Sequence, residues 1–159
     1  GEPAIPHSVG TVAQITQVNR HEDGRMLIGV TGRQRFKIKE IAQYRPYVAA
    51  QVELLEDAAE TTLPSEEMEE IREAVTEHIR LTIGLRGGWI REARVPSDPV
   101  ALSYLVARVL MVGLPEKQAL LEEESTSSRL EAGLRLLRRE EEGLRKRVAQ
   151  EMGKRYSRQ

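Results

Sequence analysis

The chain of 159 residues has no cysteine, and aromatic residues make up only 4% of it. Without thiols there can be no disulfides, no thiolate nucleophile and no zinc site built on cysteine. The scarcity of rings leaves few platforms on which nucleic-acid bases could stack. Charge of neither sign prevails: 24 Lys+Arg stand against 25 Asp+Glu, giving a formal net charge of -1. No global field therefore draws the chain to nucleic acid or to a membrane surface. No apolar run has the length of a membrane span, and the residues from Gly1 onward lack the basic-then-apolar order of a secretory signal. A cytoplasmic setting fits these absences. What is present is 40% hydrophobic and 31% charged residues, a globular balance sized for one domain or two small subdomains.

The hydrophobic period changes near residue 60, so we expect a β-meander over residues 1–60 and a helical subdomain over 61–159. Val12, Ala13, Ile15 and Val18 lie in a first strand running from Gly10-Thr11 to about Asn19. Asp23-Gly24 is a hairpin signal, because glycine accepts a positive φ without a Cβ clash. Met26, Ile28 and Val30 share one face of the return strand, and Thr31-Gly32-Arg33 reads as a second tight turn. Phe36 and Ile38 alternate with Arg35, Lys37 and Lys39, an apolar face backed by a cationic one. After Arg45-Pro46, Val48, Ala50, Val52 and Leu54 alternate with Tyr47, Ala49, Gln51 and Glu53. The reading is four antiparallel strands.

Beyond that point apolar residues recur every three or four positions. Pro64-Ser65 precedes Met68, Ile71, Val75 and Ile79 in a helix ending at or near Gly84. Asp98 is the expected N-cap and Pro99 the first residue of a second helix carrying Leu102, Leu105, Val106, Val109 and Leu110. Gly113-Leu114-Pro115 opens a short third helix with Leu120 and Leu121. A long last helix starts in Ser125-Thr126-Ser127-Ser128, with Leu130, Leu134, Leu137, Glu141, Leu144, Val148 and Met152 close to a heptad seam. Its far half either projects from the core or frays in solvent.

Catalytic signatures are missing. Gly153-Lys154-Arg155 lacks the upstream glycine and the hydroxyl of a P-loop, and Gly84-Leu85-Arg86-Gly87-Gly88 lacks dinucleotide-loop spacing. His7, His21 and His78 are scattered, and His78 has no second histidine at metal-ligand spacing, so a surface or core-edge position explains it. Ser65, Ser97 and Ser125 to Ser128 stand where helices need caps. The carboxylates of Glu66-Glu67, Glu69-Glu70 and Glu140-Glu141-Glu142 lie in helical charge runs, where unshifted surface groups make poor acid–base pairs. No catalytic residue, cofactor or metal is assigned.

Several segments in order resemble the N-terminal, substrate-binding domain of the Lon protease family. They are Gly10-Thr11-Val12-Ala13-Gln14-Ile15, Asp23-Gly24, residues 28–38 (IGVTGRQRFKI), residues 46–57 (PYVAAQVELLED), Asp98-Pro99, residues 115–122 (PEKQALLE) and Arg129-Leu130. The resemblance implies an α+β chain: an antiparallel PUA-like β pseudobarrel followed by an α-helical bundle with a long C-terminal helix. It also implies a bacterial, non-catalytic module that binds unfolded or tagged polypeptides, without the ATPase and peptidase parts of that ATP-dependent serine protease. Family members open with further strands before the Gly-Thr strand, so the resemblance points to a fragment of a full Lon protease or a truncated stand-alone LON-domain protein. An open sheet, or one completed by another chain, is the expectation. The lead-in Glu2-Pro3-Ala4-Ile5-Pro6-His7 resembles the stand-alone group.

Candidate binding residues are Trp89, Ile90 and Arg86 in the loop from Gly84 to Pro96, with Tyr47 and Arg35 on the sheet. Trp89, the only tryptophan, is either an anchor for a partner or a lid folded over the helical core. Tyr47 and the Arg35 face mark either a peptide edge or a solvated sheet face. Two other functions compete. One is RNA binding, since PUA-like folds elsewhere contact RNA and residues 125–159 hold ten Lys+Arg against five Asp+Glu; the dearth of aromatics disfavours nucleic acid. The other is self-association through the C-terminal helix or an open sheet edge.

Overall fold

The computed structural model describes residues 5–57 and 63–156, and it divides into two compact units, Gly1–Glu56 and Asp57–Gln159. Residues 2–4 of the lead-in and the side chain of Met152 in the expected seam lie outside the described residues.

The first unit is an antiparallel sheet of β1 (Val9–Arg20), β2 (Met26–Gln43) and β3 (Ala49–Leu55) in the order β1-β2-β3. The Asp23-Gly24 turn forms as its residues require. Gly24 has φ 83°, the His21 N–H donates to the Arg25 carbonyl at 2.9 Å, and Asp23 Oδ1 accepts from the Arg25 N–H at 3.0 Å. The expected second turn at Thr31-Gly32-Arg33 is absent. β2 runs unbroken for 18 residues, so the meander has three strands among the described residues, not four. The register explains the misreading: Val12 pairs with Gln34 and Ala13 with Gly32, so Arg33 is an extra residue, a bulge. Glycine inside an alternating run signals a bulge as readily as a turn, and Gly32 has no positive φ. Arg33 donates through Nε to Gln14 Oε1 at 2.7 Å, tying the bulge to β1.

Ile15 lies opposite Val30 and Val18 opposite Ile28, with Met26 two residues further on the same face. All five are between 46% and 59% exposed, so this end of the sheet keeps an apolar face in water. Phe36 with Leu54 and Ile38 with Val52 form further apolar cross-strand pairs. The sheet is open among the described residues, with β1 and β3 as its edges.

The second unit contains α1 (Ser65–Leu85), α2 (Pro99–Val109), α3 (Leu114–Glu122) and α4 (Thr126–Tyr156). Asp98 caps α2 by accepting the Ala101 N–H at 2.7 Å, with Pro99 in the first turn, where its missing N–H costs nothing. Ser125 Oγ accepts the Ser128 N–H at 3.0 Å, holding the start of α4. The stripes that the sequence spacing marks meet in one core: Ile71 and Val75 from α1, Leu102 and Val106 from α2, Leu110 just beyond it, Leu120 from α3, and Leu130, Leu134 and Leu137 from α4. Full burial of each such side chain contributes about 1.5–3 kcal/mol. α4 is 31 residues long, roughly 46 Å at 1.5 Å per residue. Its seam stays engaged past the half-buried Glu141, since Leu144 is buried as well.

Of the surface and core-edge positions expected of it, His78 takes the core edge. It is 2% exposed, with Nε2 3.0 Å from the Val109 carbonyl and 3.8 Å from Glu140 Oε2, so it ties α1 to the end of α2. Asp57, at the start of this unit, is also held inside. Arg129 donates to it at 2.8 Å, Tyr104 donates to its other oxygen at 2.5 Å, and Arg129 Nε donates to Ser103 Oγ at 3.0 Å.

Between α3 and α4, Arg139 donates to Glu116 Oε1 at 2.5 Å, and the Gly113 N–H donates to the other oxygen at 3.3 Å. The Arg139 hydrogen bond, with lesser help from the Gly113 N–H, holds the Glu116 carboxyl below its ordinary range. A carboxyl lowered in the folded state contributes stability that is present above its unfolded value and lost as pH falls through the folded one. We expect carboxyl-detected NMR titration to show Glu116 titrating below the ordinary glutamate range, and Arg139→Gln to raise it. An unchanged Glu116 titration in that variant would remove Arg139 as the cause.

Candidate functional site

α1 ends in a backbone device that directs the following loop. The Gly87 N–H donates to the Gly84 carbonyl at 2.9 Å and the Gly88 N–H to the Ile83 carbonyl at 3.0 Å, with Gly87 at φ 75°. This is a Schellman ending, in which the residue past the cap turns left-handed and so favours glycine. The carbonyls at the helix end are thereby satisfied, and the chain leaves sharply. Trp89 follows immediately and stands 82% exposed. Of the two arrangements the sequence allows for it, the lid over the helical core is not adopted.

Beside Trp89 lies a cavity of about 510 Å³. Arg80 and Gly84 of α1 form one wall, residues 87–91 another, and Val148 of α4 closes it. Arg80 and Gly84 are one helical turn apart, which places them on the same face of α1. Trp89 and Ile90, two of the residues singled out from the sequence, are therefore brought together. Arg86 is exposed in the same turn but does not line the cavity. Tyr47, 67% exposed, and Arg35 belong to the sheet unit. Arg35 is only 2% exposed, so it does not stand on a solvated cationic face as its alternation with Lys37 and Lys39 suggests. Arg80 and Arg91 carry no local signal in the sequence, and Val148 is marked there only for packing. The seam position of Val148 was the one available signal.

Ser103 is fully buried and engaged, donating to the Val100 carbonyl at 2.7 Å while accepting from Arg129. The acidic runs of α4 sit in ion pairs along the helix, Glu141 with Arg145 at 2.7 Å and Glu142 with Lys146 at 2.6 Å. Among the described residues no group of three or more His, Asp or Glu is placed to hold a metal ion, and no helix is long and apolar enough to cross a membrane.

Comparison with known proteins agrees with this architecture. The chain is 34% identical over 133 residues to a Lon protease of Azospirillum brasilense, covering 81% of this chain and 16% of that protein. It is 28% identical over 157 residues to the Lon protease of Escherichia coli K12, covering 92% of this chain and 20% of that one. The chain thus spans a fifth or less of the length of these relatives. Two solved structures share the fold. A Lon N-terminal domain protein from Xanthomonas campestris matches with a TM-score of 0.59 at 19% identity, over 80% of this chain and 66% of that one. The N-terminal domain of a Mycobacterium avium complex Lon protease matches with a TM-score of 0.57 at 25% identity, over 82% and 69%. The model of the ATP-dependent protease La (LON) substrate-binding domain matches residues 4–139, and the chain belongs to that family.

Proposed function

We propose that this chain is a non-catalytic module that binds polypeptides, capturing apolar segments exposed by unfolded or tagged proteins in a bacterial cytoplasm. The observation that carries this reading is Trp89, solvent-exposed at the mouth of a cavity walled by Ile90 and Val148. An exposed tryptophan is an expensive feature to leave in water, and tryptophan is the residue type most favoured at binding hot spots. The helix ending before it sets the direction in which the loop leaves α1, and such preorganisation limits the entropy lost on binding. Where such a module is joined to a protease, as the names of its relatives describe, it would hold substrates for the proteolytic part.

The test is binding of a labelled, chemically unfolded protein, followed by anisotropy, against the same protein in its native state. The unfolded form is expected to bind and the native form not. Truncating Trp89 with Ile90 (Trp89→Ala, Ile90→Ser) should weaken capture by about tenfold or more, the loss typical of a hot-spot residue. Equal binding of native and unfolded protein, or a variant with unchanged affinity and unchanged circular dichroism, would overturn the reading. Single-stranded RNA serves as the contrast, because its binding falls steeply as salt rises whereas apolar capture does not.

A further inference from the structure

We infer that the Trp89 cavity selects segments in which an acidic side chain lies beside an apolar one, the carboxylate being held between Arg80 and Arg91. The inference rests on the polypeptide-binding reading and gives it a sequence preference.

Its basis is an imbalance of charge. The cavity is lined by two arginines and no acidic side chain. Neither arginine has an ion-pair partner among the described residues, and both are exposed. Three arginines of α1 and α4 are neutralised: Arg72 by Glu69 at 3.4 Å, Arg138 by Glu70, and Arg145 by Glu141 at 2.7 Å. Many cations of this helical surface are thus paired, whereas Arg80 and Arg91 stand together, without an acidic neighbour in the lining, at the place that also offers an exposed tryptophan. The C-terminal end of α1 opposes them with roughly half a negative charge. Its last carbonyls are already satisfied by Gly87 and Gly88, so two full positive charges prevail.

Guanidinium groups favour carboxylates because their fork of N–H donors matches two oxygens at once. Trp89, Ile90 and Val148 would take the neighbouring apolar side chain. The carboxylate is assigned to a side chain within the segment and not to a chain end, because the cavity does not stand alone. A second groove of about 580 Å³ along α1 and α4 shares Arg80 with it, and its four glutamates, Glu70, Glu73, Glu77 and Glu141, suit it to an uncharged flank of the segment and not to the carboxylate. A chain crossing one therefore has a path onward through the other, and an extended segment of about ten residues, roughly 33 Å, is long enough to use both.

Trp89 supplies its own reporter, since no other tryptophan contributes to emission. The probes are peptides of about ten residues, acetylated and amidated to remove terminal charge, long enough to cross both clefts. One carries Glu-Phe in a Ser/Ala background, one Gln-Phe, and one Glu-Ser. The Glu-Phe peptide should shift Trp89 emission to the blue and bind about tenfold more tightly than Gln-Phe, the worth of one charge-assisted hydrogen bond. That advantage should shrink as salt is raised and vanish in Arg80→Gln/Arg91→Gln, whose circular dichroism should be unchanged because neither arginine is buried. Glu-Ser should bind more weakly than Glu-Phe. Equal binding of Glu-Phe and Gln-Phe would overturn the acidic preference while leaving polypeptide capture standing. Absence of binding by every peptide, with the unfolded protein also unbound, would remove both readings. Tighter binding of an RNA oligonucleotide than of Glu-Phe, abolished in the same double variant, would assign the arginines to phosphate and overturn the inference.

Discussion

Replacing Arg129 by methionine is expected to destabilise the helical unit by about 3 kcal/mol, the low end of the range for breaking a buried ion pair. The side chain is 1% exposed. Its Nε donates to Ser103 Oγ at 3.0 Å, its Nη2 to Asp57 at 2.8 Å, and its guanidinium lies 4.7 Å from the centre of the Tyr104 ring. Methionine keeps much of the volume, so the loss is electrostatic: Asp57 stays in the unit with its compensating charge removed. Two features keep the cost from the top of the range. The Asp57 side chain is 14% exposed, and it retains the Tyr104 hydroxyl as a donor. Lysine at the same position should recover only part of the loss, because one ammonium cannot reproduce the planar fork that reaches Ser103 and Asp57 together. Removing the stranded charge as well, in Arg129→Met/Asp57→Asn, should be less damaging than the sum of the single changes. Urea unfolding followed at 222 nm measures all four. A loss in Arg129→Met below about 0.5 kcal/mol, the range of ordinary surface substitutions, would show that the pair is not structurally important.

The Arg129 network also marks where sequence reading stops. Asp57 and Arg129 are quoted in the segments that carry the family resemblance, yet nothing in their local pattern says that they meet. Residues 72 positions apart are joined only once α4 is packed against α2. The same holds for the cavity, where Arg80 and Val148 are far apart in the chain and adjacent only through the α1–α4 contact. What local chemistry decides was legible: Gly24 in its left-handed turn, Asp98 with Pro99 at the start of α2, and Ser125 at the start of α4. Each of those features is specified within about four residues.

Where a local signal has two physical meanings, the structure had to choose. A glycine between Thr31 and Arg33 suits a turn or a bulge, and only the pairing of β1 with β2 decides for the bulge. Trp89 after two glycines could fold inward or stand out. The left-handed Gly87 sets its exit direction, an outcome of backbone geometry that composition does not contain. Arg35 differs from expectation for a related reason. Alternation assigns a residue to a face, but burial depends on what lies over that face, and the Arg35 side chain is 2% exposed.

Two glycines of α4 should respond to the same substitution with opposite signs. At Gly133, a Cβ would lie only 2.4 Å from Val106 Cγ1 and 3.4 Å from its Cβ, a separation that real Cβ atoms do not show. Gly133 is therefore a point of close approach between α2 and α4, and glycine permits it. Val106 is 1% exposed and β-branched, so it has neither free space nor an easy alternative rotamer. Alanine there gains up to about 1 kcal/mol in helix propensity but forces the helices apart, and overpacking of a filled core costs about 1–3 kcal/mol. We expect a net loss for Gly133→Ala and a loss of about 3 kcal/mol for Gly133→Leu, which cannot be absorbed by a small shift. At Gly143, ten residues along the same helix, nothing lies within 4 Å of the added carbon. Gly143→Ala should then express propensity alone and stabilise by about 0.5–1 kcal/mol. Thermal unfolding of the three variants beside the parent chain gives the answer. The contrast isolates packing from propensity because residue type and helix are held constant, and stabilisation by alanine at both sites would disprove the close α2–α4 contact.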